Sequence, residues 1–205
     1  MENQASKHLP LKGELLRKLT HLFAIVIPAG YYLLGLSKGQ ALAIMAPIAV
    51  AMIIIDLGRL RNWGIWRFFG RMIGPMIRQT EALGDFTGAT YILTAACLTI
   101  ALYSMPVAVA SLTFIIVGDP ASALFGRRYG IHKFKNKSLE GSLAFLATAI
   151  IVALLTPQIP LEIGLVGGVV AAFTEAVSFK VDDNTTVPLV TGLVMTLLLR
   201  LLYGV

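Results

Sequence analysis

Apolar residues along the chain gather into seven long segments, each near the ~20 residues that a membrane-spanning helix requires. They run Leu19 to Leu36, Gln40 to Leu57, Thr87 to Tyr103, Pro106 to Phe125, Gly141 to Thr156, Leu161 to Phe179 and Thr186 to Tyr203. The first has a long basic flank and no small-residue cleavage pattern after it, so it reads as a retained span and not a signal peptide. The stretch from Leu60 to Ile77 has a different pattern. Trp63, Trp66, Phe69, Ile73 and Met76 recur at helical spacing, with Arg67, Arg71 and Arg78 on another face. That predicts an amphipathic helix within 58–80, lying in the headgroup layer as an anchor. The fold expected is an all-α integral membrane protein: about seven transmembrane helices plus that interfacial helix, in one domain over 1–205, after a basic amino-terminal segment at 1–18.

Composition agrees with this pattern. Only 14% of the 205 residues are charged, against about 25% in soluble domains. Cys97 is the single cysteine, so no internal disulfide exists, and it sits in an apolar run as a small hydrophobe. His8, His21 and His132 show no metal-ligand spacing. The net charge of +6 is distributed unevenly. Fifteen of the seventeen Lys and Arg residues fall before the first segment or in the second-to-third, fourth-to-fifth and sixth-to-seventh connections; Lys38 and Arg200 are the exceptions. The positive-inside rule then puts the amino terminus and these connections in the cytoplasm, and the carboxyl terminus outside. A cytoplasmic basic face meets anionic lipid and an anionic substrate, which argues against nucleic acid as a partner.

The polar residues with chemical potential lie on that same side. Arg17, Lys18 and His21 are three and four residues apart and can share a helix face. Glu81 and Asp85 precede the third segment, with Thr87, Gly88 and Thr90 at its entry. Asp119 lies about six residues inside the fourth segment, where a carboxylate needs a partner or a cation. Pro120 follows it and disturbs the local helix. Gly118, Gly126 and Gly130 allow close backbone approach. Lys137-Ser138 then precedes a helix whose first turn holds Glu140 and Gly141; Ser138 suits its N-cap, and a phosphate fits on the free amides beside Lys137. The spacing of a P-loop is absent. Glu175 ends the sixth segment, and Asp182-Asp183-Asn184 follows, a set suited to Mg²⁺ or to capping the seventh helix through Asp183 or Asn184. Asp56, at the inner end of the second segment, is expected to pair with Arg59 or Arg61.

Taken together and in order, these motifs resemble the membrane polyprenol kinase family: dolichol kinase, phytol and farnesol kinases, and the CTP-dependent diacylglycerol kinase. The resemblance rests on Arg17-Lys18-x-x-His21, on Glu81 with Thr87-Gly88-Ala89-Thr90, and on Gly118-Asp119-Pro120-Ala121 with Gly126-Arg127-Arg128-x-Gly130. It continues through Lys137-Ser138-Leu139-Glu140-Gly141-Ser142 to Glu175 and Asp182-Asp183-Asn184-x-x-Val187-Pro188. The short members of the phytol kinase type match this length best. The resemblance implies transfer of the γ-phosphoryl group of CTP to the hydroxyl of a lipid alcohol such as phytol, geranylgeraniol or diacylglycerol, with Mg²⁺ on one or more of Asp119, Asp182 and Asp183. Lys137, Arg128 and Arg17 would neutralise charge, and Glu140, Glu175 or His21 would serve as base. Lys18, Gly118, Ser122, Gly126, Gly130, Ser138, Gly141, Ser142 and Asn184 would line the nucleotide side. Glu81, Thr87 and Gly88 would line the lipid side, with the tail between helices near Gly88, Gly141 and Gly168.

Two rivals make different predictions. The Asp…Gly…Gly…Lys-Ser-x-Glu-Gly run also resembles CTP:phosphatidate cytidylyltransferases, which release pyrophosphate where a kinase releases CDP. An ion-coupled transporter would use Asp56, Asp119 and Glu175 as coupling acids, but no paired discontinuous helices are evident.

Overall fold

A run of apolar residues folds as a helix in a bilayer because no other open structure satisfies its backbone polar groups, and helices dominate this chain. The computed structural model describes residues 11–64, 81, 84–135, 137–156, 158–178 and 182–204. In order the elements are α1 (Leu11–Phe23), α2 (Val26–Leu33), α3 (Lys38–Leu60), α4 (Gly88–Leu102) and α5 (Met105–Tyr129). After these come β1 (Lys133–Phe134), β2 (Lys137–Ser138), α6 (Leu139–Leu155), α7 (Leu161–Val177) and α8 (Asp183–Tyr203). α3, α5 and α8 are long and apolar enough to cross a membrane, and α4 and α6 are shorter apolar helices. Most of the expected interfacial helix, including Trp66, Phe69, Arg67, Arg71 and Arg78, lies outside the described residues.

The first apolar segment differs from expectation. The helix begins at Leu11, inside the basic flank, and breaks at Ala24–Ile25 before α2. Pro28 supplies the reason. It has no N–H for the carbonyl of Ala24, and its ring crowds that carbonyl. The turn is instead closed by three-residue bonds, Ala24 N to the His21 carbonyl, Ile25 N to Leu22 and Ile27 N to Ala24, each 3.0 Å. Pro120 does not have this effect: α5 runs unbroken through it.

α5 is the centre of the bundle. It packs against α1, α2, α4, α6, α7 and α8, and 67% of its apolar window is buried, against 22% for α3 and 28% for α8. Phe114, Ile115 and Ile116 on α5 meet Phe145 of α6 in the core. α6 and α7 approach through small residues: a Cβ on Gly164 would sit 3.3 Å from the Ala153 Cβ, and one on Gly168 3.2 Å from the Ala149 Cβ. Close small-residue contacts suit helices that have no hydrophobic drive between them in lipid. Ile44, Ile48 and Ile55 on α3 and Leu193, Leu197 and Leu201 on α8 are exposed, as expected of faces that meet hydrocarbon.

The alternation of helices gives the bundle two unlike ends. At one, the ends of α3, α5 and α7 meet the starts of α4, α6 and α8. At the other, a capping box between Ser37 and Gln40 starts α3, Lys38 Nζ donates to the Ala101 carbonyl at 3.0 Å, and the Tyr203 hydroxyl donates to Glu162.

Candidate active site

Lys18 and His21 project from one face of α1 onto α5. The Lys18 ammonium donates to Asp119 Oδ2 at 2.6 Å. His21 Nε2 lies 3.3 Å from the Ile115 carbonyl, and its Nδ1 lies 3.8 Å from the same Asp119 oxygen. In the tautomer that donates from Nε2, Nδ1 keeps a lone pair on the Asp119 side. Lys18, His21 and Asp119 are all buried. The partner that a carboxylate at this depth requires is therefore Lys18. Arg17, the residue before Lys18, is half-buried.

One turn along α5 from Asp119, Ser122 begins a second group. Its hydroxyl donates to Glu175 Oε1 at 3.3 Å. That oxygen also takes the Lys137 ammonium at 2.7 Å, and Lys137 reaches Asp183 Oδ2 at 3.3 Å and the Glu175 carbonyl. Lys137 is delivered by a hairpin in which Phe134 pairs with Lys137 and Lys133 with Ser138. Lys137 and Ser138 thus precede the helix, as expected, and do so as a short strand. Ser138 then caps α6 as expected, its hydroxyl accepting from Gly141 N at 3.1 Å. The two groups adjoin through α5: Ser122, which donates to Glu175, follows Asp119 by three residues, one turn away, and we refer to them together as the basin. Within it Glu175 Oε2 and Asn184 Oδ1 are buried and have no hydrogen-bond partner among the described residues.

The cap of α8 is Asp182, where Asp183 or Asn184 had been expected. Asp182 Oδ1 accepts from Asn184 N at 3.0 Å and from its side-chain amide at 2.6 Å. That leaves Asp183 to turn toward Lys137. Asp119, Asp182 and Asp183 consequently face Lys18, Asn184 and Lys137. Among the described residues no three His, Cys, Asp or Glu side chains gather around one point.

Other expected residues sit apart. Glu140 points to the hairpin, where the His132 amide and ring Nδ1 approach it, the latter at 2.7 Å. The glycines do allow close approach, but between protein segments. A Cβ on Gly126 or Gly130 would lie 2.8 Å from Ser138 Oγ, one on Gly141 2.8 Å from the Ser122 carbonyl, and one on Gly118 within 2.5 Å of the Phe145 ring. Ser142 Oγ is buried and has no partner among the described residues. Arg128 is exposed and lies over the Tyr129 ring.

A third group was only half legible. Asp56 pairs with Arg59 at 2.9 Å, as expected. It also accepts from Thr87 N (2.7 Å), Thr87 Oγ1 (2.9 Å) and Thr90 Oγ1 (2.6 Å), capping α4 from another helix. Glu81 accepts from Gly88 N at 3.2 Å, and Arg59 donates to the carbonyls of Glu81 and Asp85. A Cβ on Gly88 would lie 3.9 Å from the Asn184 amide, which links this group to the basin. The signal available in sequence was the pair of threonines one turn apart, Thr87 and Thr90, following an acid at a span end.

No protein-family model matches the chain, and no solved structure does. Among curated proteins it is 27% identical over 218 residues to CTP-dependent diacylglycerol kinase 1 of Saccharomyces cerevisiae, an alignment covering 92% of this chain and 74% of that one. It is 26% identical over 218 residues to probable chloroplastic phytol kinase 2 of Oryza sativa subsp. japonica, covering 95% and 69%. An uncharacterized protein of Rickettsia prowazekii is 26% identical over 184 residues, covering 84% and 88%. The chain is thus similar to CTP-dependent diacylglycerol kinases and phytol kinases, in agreement with the polyprenol kinase resemblance.

Proposed function

We propose that this chain is a membrane lipid-alcohol kinase that transfers the γ-phosphoryl group of CTP to the hydroxyl of a prenol-type lipid, such as phytol or geranylgeraniol, or of diacylglycerol. One observation carries the reading: Lys137, half-buried between the carboxylates of Glu175 and Asp183, is joined through Ser122 to the turn of α5 that carries the buried Lys18–Asp119 pair. Phosphoryl transfer asks a protein chiefly for positioning and charge compensation. A basin holding two cations and three acids at a helix-bundle end supplies both. CTP as donor is taken from the relatives' names.

In the reaction the bond between the γ-phosphorus and the β–γ bridging oxygen breaks, and one between that phosphorus and the lipid oxygen forms. CDP leaves, and the hydroxyl proton passes to a base. Lys137 and Lys18 would hold the phosphoryl oxygens as charge shifts among them. His21 Nδ1 or Glu175 would take the proton; Glu140, engaged with His132, is less well placed. The oxygens suited to a hard cation are the Asp183 carboxylate and the unpartnered Glu175 Oε2 and Asn184 Oδ1, with Asp119 adjoining. Mg²⁺ bound there would supply charge neutralisation of the triphosphate. In the membrane we read seven crossings, α1 and α2 together making the first. The basin and the amino terminus then face the cytoplasm, as the Lys and Arg distribution requires.

The test is labelled CTP, and ATP in parallel, offered to purified protein in detergent with a panel of lipid alcohols. We expect solvent-extractable phosphorylated alcohol and CDP. Pyrophosphate in place of CDP would convict the reading in favour of cytidylyl transfer. Asp119→Asn and Asp183→Asn should lower turnover far more than protein yield; near-normal turnover in both would remove these acids from the chemistry.

A further inference from the structure

α2, α5 and α6 line an open cavity of about 470 Å³ that none of the polar groups described above uses. Its walls suit hydrocarbon. The three threonines in the lining turn their hydroxyls onto their own helices: Thr113 to the Val109 carbonyl at 2.7 Å, Thr148 to Phe145 and Thr156 to Val152, each at 2.8 Å. At the far end Leu33 and Leu155 are 77% and 75% exposed, so the cavity opens sideways toward the bilayer.

Its other end adjoins the basin. Ile25, in the lining, follows His21 by four residues across the α1–α2 turn. On α5 the lining reaches Val117, close to the level of Asp119 but on another face of the helix, so the link to the basin runs through His21, which bonds to Ile115 of α5 and leads on to Ile25. The break that Pro28 imposes after His21 is what carries the chain from the polar contact with Asp119 into the apolar wall. From Val117 to Pro106 the lining follows eleven residues of α5, about 16 Å at helical rise. Of the three glycines expected near the tail, Gly141 and Gly168 are approached by Ser122 and Ala149, while a Cβ on Gly88, at the start of α4, would lie 3.9 Å from the Asn184 amide.

We propose that this cavity holds the hydrocarbon tail of the lipid alcohol, with the hydroxyl at the His21–Asp119 end, and that the substrate is a single-chain, prenol-type alcohol and not a two-chain glyceride. The inference rests on the kinase reading above and deepens it. A cavity of this volume lies in the lower half of the ~300–1,000 Å³ typical of small-molecule sites. Among the described residues its lining forms one apolar channel, which suits a single hydrocarbon chain.

Ala29 lies midway along α2, and Ala29→Trp shortens the channel. With geranylgeraniol we expect kcat/KM to fall at least about tenfold relative to geraniol, the scale on which an apolar pocket discriminates chain size, with KM for CTP unchanged. An unaltered geranylgeraniol-to-geraniol ratio overturns the channel while leaving the kinase reading intact. So does diacylglycerol phosphorylated as well as geranylgeraniol by the wild type. If Ala29→Trp does not fold, a photoreactive diazirine at the tail end of a prenol decides on the wild-type protein. Label on the peptides carrying Val109, Thr148 and Ile151 supports the assignment, and label confined to α3 or α8 overturns it. A wild type that phosphorylates no alcohol defeats the kinase reading instead, and the labelling pattern then judges the cavity alone.

Discussion

Asp56 and Glu175 sit at the same end of the bundle and are buried almost equally, at 1% and 2% exposure, yet their surroundings differ. Both oxygens of Asp56 are engaged: Oδ1 by Arg59, Oδ2 by the amide and hydroxyl of Thr87 and the hydroxyl of Thr90. Its partners belong to α3 and to the start of α4, whose N-cap residue makes no side-chain cap of its own. A carboxylate there satisfies the free amides and the positive end of the helix dipole. Glu175 has one oxygen held by Lys137 and Ser122 and one with no hydrogen-bond partner among the described residues. A buried acid left half-satisfied next to a cation costs stability. The difference separates an acid that joins two helices from one whose second oxygen no described residue engages.

The largest effect should follow from breaking the Lys137–Glu175 pair. Lys137→Met leaves Glu175 buried without its counter-charge, which should lower both yield and turnover, the latter by at least about 100-fold if Lys137 stabilises the transferring group. The double variant Lys137→Met/Glu175→Gln sharpens the comparison. Neutralising both members removes the stranded charge, so yield and thermal stability in detergent should recover, while turnover should not. Recovery of turnover together with yield would make this pair architectural, no different in kind from Asp56–Arg59.

Asp56 should behave in the opposite way. Asp56→Ala strands Arg59 and uncaps α4, and losing one member of a buried pair costs about 3–5 kcal/mol. We expect an early loss of monodisperse protein on heating. Asp56→Asn keeps an acceptor for the threonines and should fall between. In either variant the protein that does fold should keep KM for CTP near the wild-type value. A tenfold rise in that KM for well-folded Asp56→Asn would place Asp56 in the binding site and erase the contrast.

The sequence displayed the two acids with unequal clarity. Asp56-x-x-Arg59 is a local pair, readable from spacing alone. The Thr87 and Thr90 contacts lie more than thirty residues away, and no periodic pattern reports a cap supplied by another helix. Glu175 was legible as an acid inside an apolar run, and Ser138 as a cap before one. Helices declared themselves through hydropathy, which is the strongest local signal a membrane chain carries. The β1–β2 hairpin did not, since strands of two residues are too short to show alternation. Pro28 did signal the break after His21, but the apolar run around it masked the signal. The glycines were correctly read as points of close approach. Spacing cannot say whether a phosphate or a neighbouring serine fills the gap, and at Gly126, Gly130 and Gly141 it is Ser138 and Ser122.

The smallest effect belongs to Glu140, which also carries a charge at this end of the bundle. It lies before the apolar part of α6, facing the hairpin. The hydrogen bond from His132 brings its carboxyl down to about 2 from an ordinary 4.5. A depressed carboxyl contributes stability that is present above 4.5 and lost as pH falls through about 2. Hydrogen exchange at the His132 amide, which donates to Glu140, should therefore stay protected at neutral pH and lose protection across that window. Glu140→Gln keeps an acceptor for that amide but gives up the charge, so turnover at neutral pH should change less than about fivefold, the range that a partly exposed ion pair covers. Should Glu140→Gln silence the protein as fully as Lys137→Met, the hairpin acid takes part in the chemistry. The dividing line drawn from Asp56 and Glu175, that an acid saturated by its neighbours is structural, would then fail at the third acid it was applied to.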